Sequence, residues 1–141
     1  MRMLKHEVKK VNKYEYNLKL EEIKKLIDKQ DYKVAAEIAD SIEWKRVRNV
    51  RTLCMVSEIY EANDRLEDAK AILQRAYARS STSRTILYRL VEIAVKMKEF
   101  DEAVEYYGEF INAAPNDNSI YILKYKIYKG RGSSIEDQIA R

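Results

Sequence analysis

Apolar and polar positions along the chain follow a pattern that returns every 34 residues. The stretches "DYKVAAEIADSI" (31–42), "RLEDAKAILQRA" (65–76) and "EFDEAVEYYGEF" (99–110) align without a gap. Tyr32, Leu66 and Phe100 fall in register, followed three residues on by Ala35, Ala69 and Ala103. Ala39, Leu73 and Tyr107 come next, then Ile42, Ala76 and Phe110. Steps of three and four residues place each set on one stripe of a helix, and the central alanine lets two helix backbones approach closely. A second helical pattern precedes each of the last two stripes. Leu53, Val56, Ser57 and Tyr60 come before one, and Leu87, Leu90, Val91 and Ala94 hold the same places before the other. Four-residue links, "NDRL" (63–66) and "MKEF" (97–100), are short enough to make the paired helices antiparallel. Ser83 and Asn116 are placed to cap the helices that follow them. Each unit is thus a helical hairpin that cannot bury its apolar face alone, and such units stack.

A fourth copy begins at Asn118, with a helix expected from Ser119 to Lys129. Tyr121, Tyr125 and Tyr128 share one stripe, and Ile120, Leu123 and Ile127 another. A helix apolar on two sides is normally covered on two sides. "GRGSSIEDQIAR" follows, read as a glycine turn and then Ser133 or Ser134 capping a helix with an acidic residue three positions on. The expectation is a fragment of a longer array, its tyrosine-rich helix exposed and prone to self-association through Tyr121, Tyr125 and Tyr128.

Period and pattern together resemble the tetratricopeptide repeat. The copy at 84–117 carries the likeness best, with Leu87, Leu90, Phe100, Ala103, Tyr107 and Pro115 where that family places its large, small and proline residues. Departures are Leu53, Leu87 and Tyr121 in place of the family's Trp, Ser57 and Val91 in place of its Gly, and Ser81 in place of its Pro. The constant 34 disfavours the pentatricopeptide pattern, whose period is one longer. As a whole the chain is similar to bacterial tetratricopeptide proteins whose arrays continue past this point. The division expected is a basic lead-in at 1–15, helical or frayed, and one domain at 16–141. Its repeats would span about 16–49, 50–83, 84–117 and a truncated 118–141. The first copy is the most degenerate, and Trp44 in its closing "EWKRV" would cover the end of the array.

Composition narrows this reading. Three glycines and one proline in 141 residues are too few for a turn-rich sheet protein. One cysteine excludes an internal disulfide and suits a reducing, cytoplasmic setting. The N-terminus lacks the apolar core of a secretion signal, and no apolar run is long enough to span a membrane. The net charge of +4 is unevenly spread: +3 over 1–15, +1 over 16–49, zero over 50–83, −3 over 84–117 and +3 over 118–141. An acidic third copy is a poor footprint for a polyanion, so nucleic acid is not the expected partner. The basic lead-in, with Leu4, Val8 and Val11 at helical spacing, is a capping helix or a membrane or nucleic-acid contact.

The resemblance implies an all-α, right-handed α-solenoid of stacked antiparallel helix–turn–helix repeats that binds a protein or peptide on the concave surface lined by each first helix. The candidate groove residues are Arg51, Met55 and Glu58 (with Glu61), Tyr88, Arg89, Glu92 and Lys96, then Lys126 (with Ile122 and Lys129). The plainer alternative is a solvated face carrying i,i+4 pairs such as Glu92–Lys96. The family's clamp for a C-terminal carboxylate, a Lys and an Asn at set places, does not transfer: Leu20 and Lys24, or Cys54 and Glu58, stand there. Catalysis is not expected. His6, the sole histidine, has no triad around it, no glycine-rich phosphate loop exists, and Asp101, Glu102 and Glu105 lie on an exposed helix face. One His and one Cys supply no structural zinc site, and no cofactor is expected. Cys54 reads as a small apolar filler, and "ARSSTSR" as a plain link between repeats. The function expected is a non-catalytic interaction scaffold. The alternatives are a structural or self-assembly module of a longer repeat protein, including a homo-oligomer through the C-terminal end, or a nucleic-acid-binding array.

Overall fold

The computed structural model describes residues 2–132, with side chains from Lys13 onward. The described residues form seven α-helices and no strand: α1 (Arg2–Asp28), α2 (Tyr32–Asp40), α3 (Val50–Ala62), α4 (Leu66–Arg79), α5 (Arg84–Lys96), α6 (Phe100–Ala113) and α7 (Ser119–Gly130). Consecutive helices pair as hairpins α1/α2, α3/α4 and α5/α6; α2 and α4 each also pack on the next hairpin's first helix, and α7 packs on both α5 and α6. The result is an all-α solenoid.

The backbone keeps the same period as the sequence. Gln30, Asp64 and Lys98 close the first helix of each hairpin in the left-handed region, with φ of 60°, 59° and 60°, and Gly132 takes the fourth such place at +69°. The closures at Gln30, Asp64 and Lys98 are Schellman turns. Gln30 N–H donates to Ile27 C=O and Asp31 N–H to Leu26 C=O, and the same two bonds recur at 64–65 and at 98–99. Leu66 and Phe100 already stand in the helices that follow, so these links are one residue shorter than the four-residue reading.

Helix starts follow the period too. Asn49 Oδ1 accepts from Thr52 N–H at 3.0 Å and Ser83 Oγ from Ile86 N–H at 3.4 Å. Asn116 does not cap α7: the N-cap position is Asn118, which makes no side-chain cap bond, and Asp117 Oδ1 accepts from Ser119 N–H at 2.8 Å just ahead of it. Asp117 lies 34 residues after Ser83, while α7 itself starts one residue later than the period would place it. Glu15 holds the equivalent place in the first copy. No helix begins there, because α1 runs through it from Arg2.

The first hairpin departs most. Its second helix has 9 residues against 14 in α4 and α6. Ser41 Oγ donates to Ile38 C=O at 2.6 Å and the Trp44 indole N–H to Ala39 C=O at 2.9 Å, so side chains take the carbonyls that further turns would have used. Ile42 therefore falls beyond the helix whose stripe it was expected to extend. Trp44 sits in the 3₁₀ turn Trp44–Arg46 between the first and second hairpins and packs into the core there, rather than covering an end.

Ala35, Ala69 and Ala103 are fully buried, as close helix approach requires, and so are Leu53, Val56, Ser57, Leu87 and Val91. Ser57 Oγ satisfies itself on Cys54 C=O at 2.7 Å. One cluster of buried side chains spans α1 to α5 and a second spans α5 to α7. Tyr77 and Tyr106 border both, meeting edge to face with ring centroids 5.6 Å apart. At the last helix, a Cβ on Gly130 would lie 2.6 Å from Val95 Cγ1, so only glycine lets α7 end this close to α5.

Candidate partner-binding face

Stacking hairpins at one period sets equivalent residues of the first helices side by side. Cys54, Tyr88 and Ile122 form one row across α3, α5 and α7, and Glu58, Glu92 and Lys126 the next. Most of the charged residues expected on this face are indeed brought together, but they are bound to one another. Arg89, whose side chain is only 11% exposed, holds both Glu58 and Glu61, the latter at 3.2 Å. Lys96 takes the other oxygen of Glu61, and Lys126 takes Glu92. The expected i,i+4 pair Glu92–Lys96 does not form: Glu92 turns forward to α7 and Lys96 back to α3. A stacked neighbour offers a partner at the right depth, whereas a pair within one exposed helix gains only a few tenths of a kcal/mol.

Electrostatics follow from these contacts. The hydrogen bond to Glu92 raises the Lys126 pKa, and its ammonium also lies 5.8 Å from the Tyr88 ring centroid. Tyr88 is half-buried with its ring 6.1 Å from that of Phe110. Arg51 is exposed and Met55 half-buried, and neither belongs to the ion-pair network. Open to a partner are Arg51, Ile122, the 61%-exposed side chain of Glu58 and the 51%-exposed side chain of Lys96.

Further inter-repeat contacts lie elsewhere. Arg65 holds Asp40 through two bonds of 2.8 Å, which draws the Asp40 carboxyl below its ordinary pKa. Lys70 bridges Glu99, at the N-cap of α6, and Glu102 in its first turn; burial would lower its pKa, but these two carboxylates outweigh it and raise it. Tyr77 donates to Glu109, which pushes its pKa up to about 12. Arg84 reaches Asp117. Reading residue by residue misses these pairs. Their signal is opposite charge, or a phenol and a carboxylate, about one repeat apart, because such positions become neighbours once the hairpins stack.

Of the expected C-terminal patch, Tyr121 and Tyr125 are 74% and 61% exposed and Tyr128 is half-buried. The Ser133/Ser134 cap lies outside the described residues, as do the side chains of residues 1–12 of the basic lead-in, His6 among them. Among the described residues no group of His, Cys, Asp and Glu could hold a metal ion. Burial raises the Cys54 thiol pKa, which leaves it a weak nucleophile. No described helix is long and apolar enough to cross a membrane.

No curated protein matches the chain. Residues 60–127, running from the end of α3 into α7, match the family model described as "Tetratricopeptide repeat". With hairpins stacked at a constant 34 and small residues buried at their crossings, residues 60–127 belong to the tetratricopeptide repeat family.

Proposed function

We propose that this protein is a non-catalytic scaffold that binds a protein or peptide along the face formed by α3, α5 and α7. The observation that carries the reading is the preformed order of that face. Its first helices are joined repeat to repeat by Arg89–Glu58/Glu61, Lys96–Glu61 and Lys126–Glu92. A face locked before binding loses little conformational entropy on contact, so modest contacts suffice for affinity. Family membership supports an interaction role of this kind. Because the paired charges are partly neutralised, the partner would read Tyr88 and Ile122 of one row, Met55 beside them, and the open ends at Arg51, Glu58 and Lys96. Arg89 and Glu92 hold the array together and guide the partner only indirectly.

The test is a selection of displayed peptides on the full chain, counter-selected on the Arg51→Glu/Ile122→Ser variant, which changes two exposed residues. Peptides that bind the natural chain and lose at least tenfold on the variant support the face. Enriched peptides that bind both proteins alike would discard it.

A further inference from the structure

Three positions on α7 differ from their counterparts in environment. Tyr121 corresponds to Leu53 and Leu87, Tyr125 to Ser57 and Val91, and Lys124 to Val56 and Leu90. Every one of those counterparts is at most 1% exposed, since α4 and α6 pack along α3 and α5. On α7 the same positions are open: Tyr121 is 74% exposed, Tyr125 is 61% exposed, and Lys124 is exposed. The stacking geometry thus presents a seat shaped for a helix. Its chemistry is nevertheless not that of another plain repeat, because an ammonium stands where Val56 and Leu90 stood. Burying that ammonium requires a carboxylate opposite it. Tyrosines suit an intermittently covered surface, since each offers a rigid apolar ring and keeps its hydroxyl wet. Charge selects the occupant: α7 has no acidic residue, and Lys129 and Arg131 beside the seat are exposed cations. Both ends of the chain carry +3, so end-to-end stacking of two copies would set like charges together.

We propose that Tyr121, Lys124 and Tyr125 seat an acidic amphipathic helix of a partner protein, lying where the second helix of a fourth hairpin would lie. This surface is separate from the row through Ile122, so the two readings stand or fall independently.

The probe is a fluorescein-labelled peptide of the α6 sequence, Phe100–Ala113. It is a second helix of this very fold, carrying Asp101, Glu102, Glu105 and Glu109 beside an apolar stripe. Anisotropy titration with the full chain should give saturable binding. Affinity should fall at least tenfold with Lys124→Glu, with Tyr121→Ser/Tyr125→Ser, and with a peptide whose four acids are lysines. Circular dichroism of these variants should match the natural chain. Absence of saturable binding, or equal affinity for the variants, would overturn the proposal. So would binding that emerges only after Ile135→Ser/Ile139→Ser, which would make the chain's own tail the occupant. A concentration-dependent dimer abolished by Tyr125→Ser would assign the seat to a second copy. Tighter capture of oligothymidylate or of phosphatidylserine vesicles would assign it to another class of ligand.

Discussion

Arg89 is committed on two sides at once, to Glu58 and to Glu61, while its own side chain is almost wholly enclosed. Removing it leaves Glu61, whose side chain is 18% exposed, with Lys96 on one oxygen and no partner for the other, and opens an enclosed gap where the guanidinium lay. Arg89→Met should therefore lower unfolding stability by about 2 kcal/mol in urea titration. Glu58→Gln should cost less than about 0.5 kcal/mol, because that carboxylate stays largely in water. Titration adds a direction in pH. Hydrogen bonds from Arg65 hold Asp40 below the ordinary carboxyl pKa, Lys70 does the same for Glu99, and the Ser119 backbone and Arg84 do so for Asp117. A depressed folded pKa contributes stability that is complete above the unfolded value, about 4, and is lost as pH falls through the folded one. Tyr60 and Tyr77 behave oppositely. Burial, aided by Asp40, pushes Tyr60 up to about 12, and the bond to Glu109 pushes Tyr77 to about the same value. Their contribution is complete below the unfolded phenol value of about 10 and disappears as pH rises toward 12. The urea midpoint measured against pH should show a plateau between these limits, and phenolate absorbance should show a late-titrating fraction that Tyr77→Phe reduces.

The turns that end the first helices place Gln30, Asp64 and Lys98 in a region that L-residues enter at a cost of about 1 kcal/mol. Gly132 meets the same requirement without that cost. Lys98→Gly should accordingly raise stability by about 0.5–1 kcal/mol, read as an upward shift of the thermal midpoint. A destabilised variant would mean that the exposed Lys98 side chain makes a contact worth more than the backbone strain. These turns also show how far the sequence could be read. The alanines at 35, 69 and 103 and the stripes around them declared the hairpins, because burial at helix crossings constrains size and type. The carboxylate that meets the first amide of α7, Asp117, stands one period after Ser83, although α7 starts a residue later than the period alone would place it. The early stop of α2 was not legible, since it depends on a Trp44 indole folding back five residues. The link from Glu92 to Lys126 was hidden for a related reason: contacts within one helix advertise themselves at short spacing, whereas contacts between stacked hairpins appear only at the period of the array.

At the scale of the molecule, stability should be distributed by number of neighbours. The hairpin α3/α4 is flanked by α2 on one side and α5 on the other, whereas α1 and α7 each lack one flank among the described helices. In an array whose repeats touch only adjacent repeats, free energy is close to a sum of repeat terms and interface terms, and opening starts where an interface is missing. Amide hydrogen exchange should be slowest in α3, α4 and α5 and faster in α7. Two substitutions separate this picture from a single cooperative block. Leu73→Ala removes a fully buried side chain from the interior of the stack and should cost about 2–5 kcal/mol, hastening exchange from α3 through α5. Gly130→Ala instead drives a methyl group into Val95 at the edge of the stack, and overpacking there should cost about 1–3 kcal/mol. The strain falls on the α7 contacts with α5 and α6, so exchange should quicken in α7 while α2 and α3 keep their protection. If Gly130→Ala instead accelerated every helix by the same factor, the hairpins would be opening as one unit, and the stacked-repeat description of the energetics would have to be abandoned even though the geometry stood.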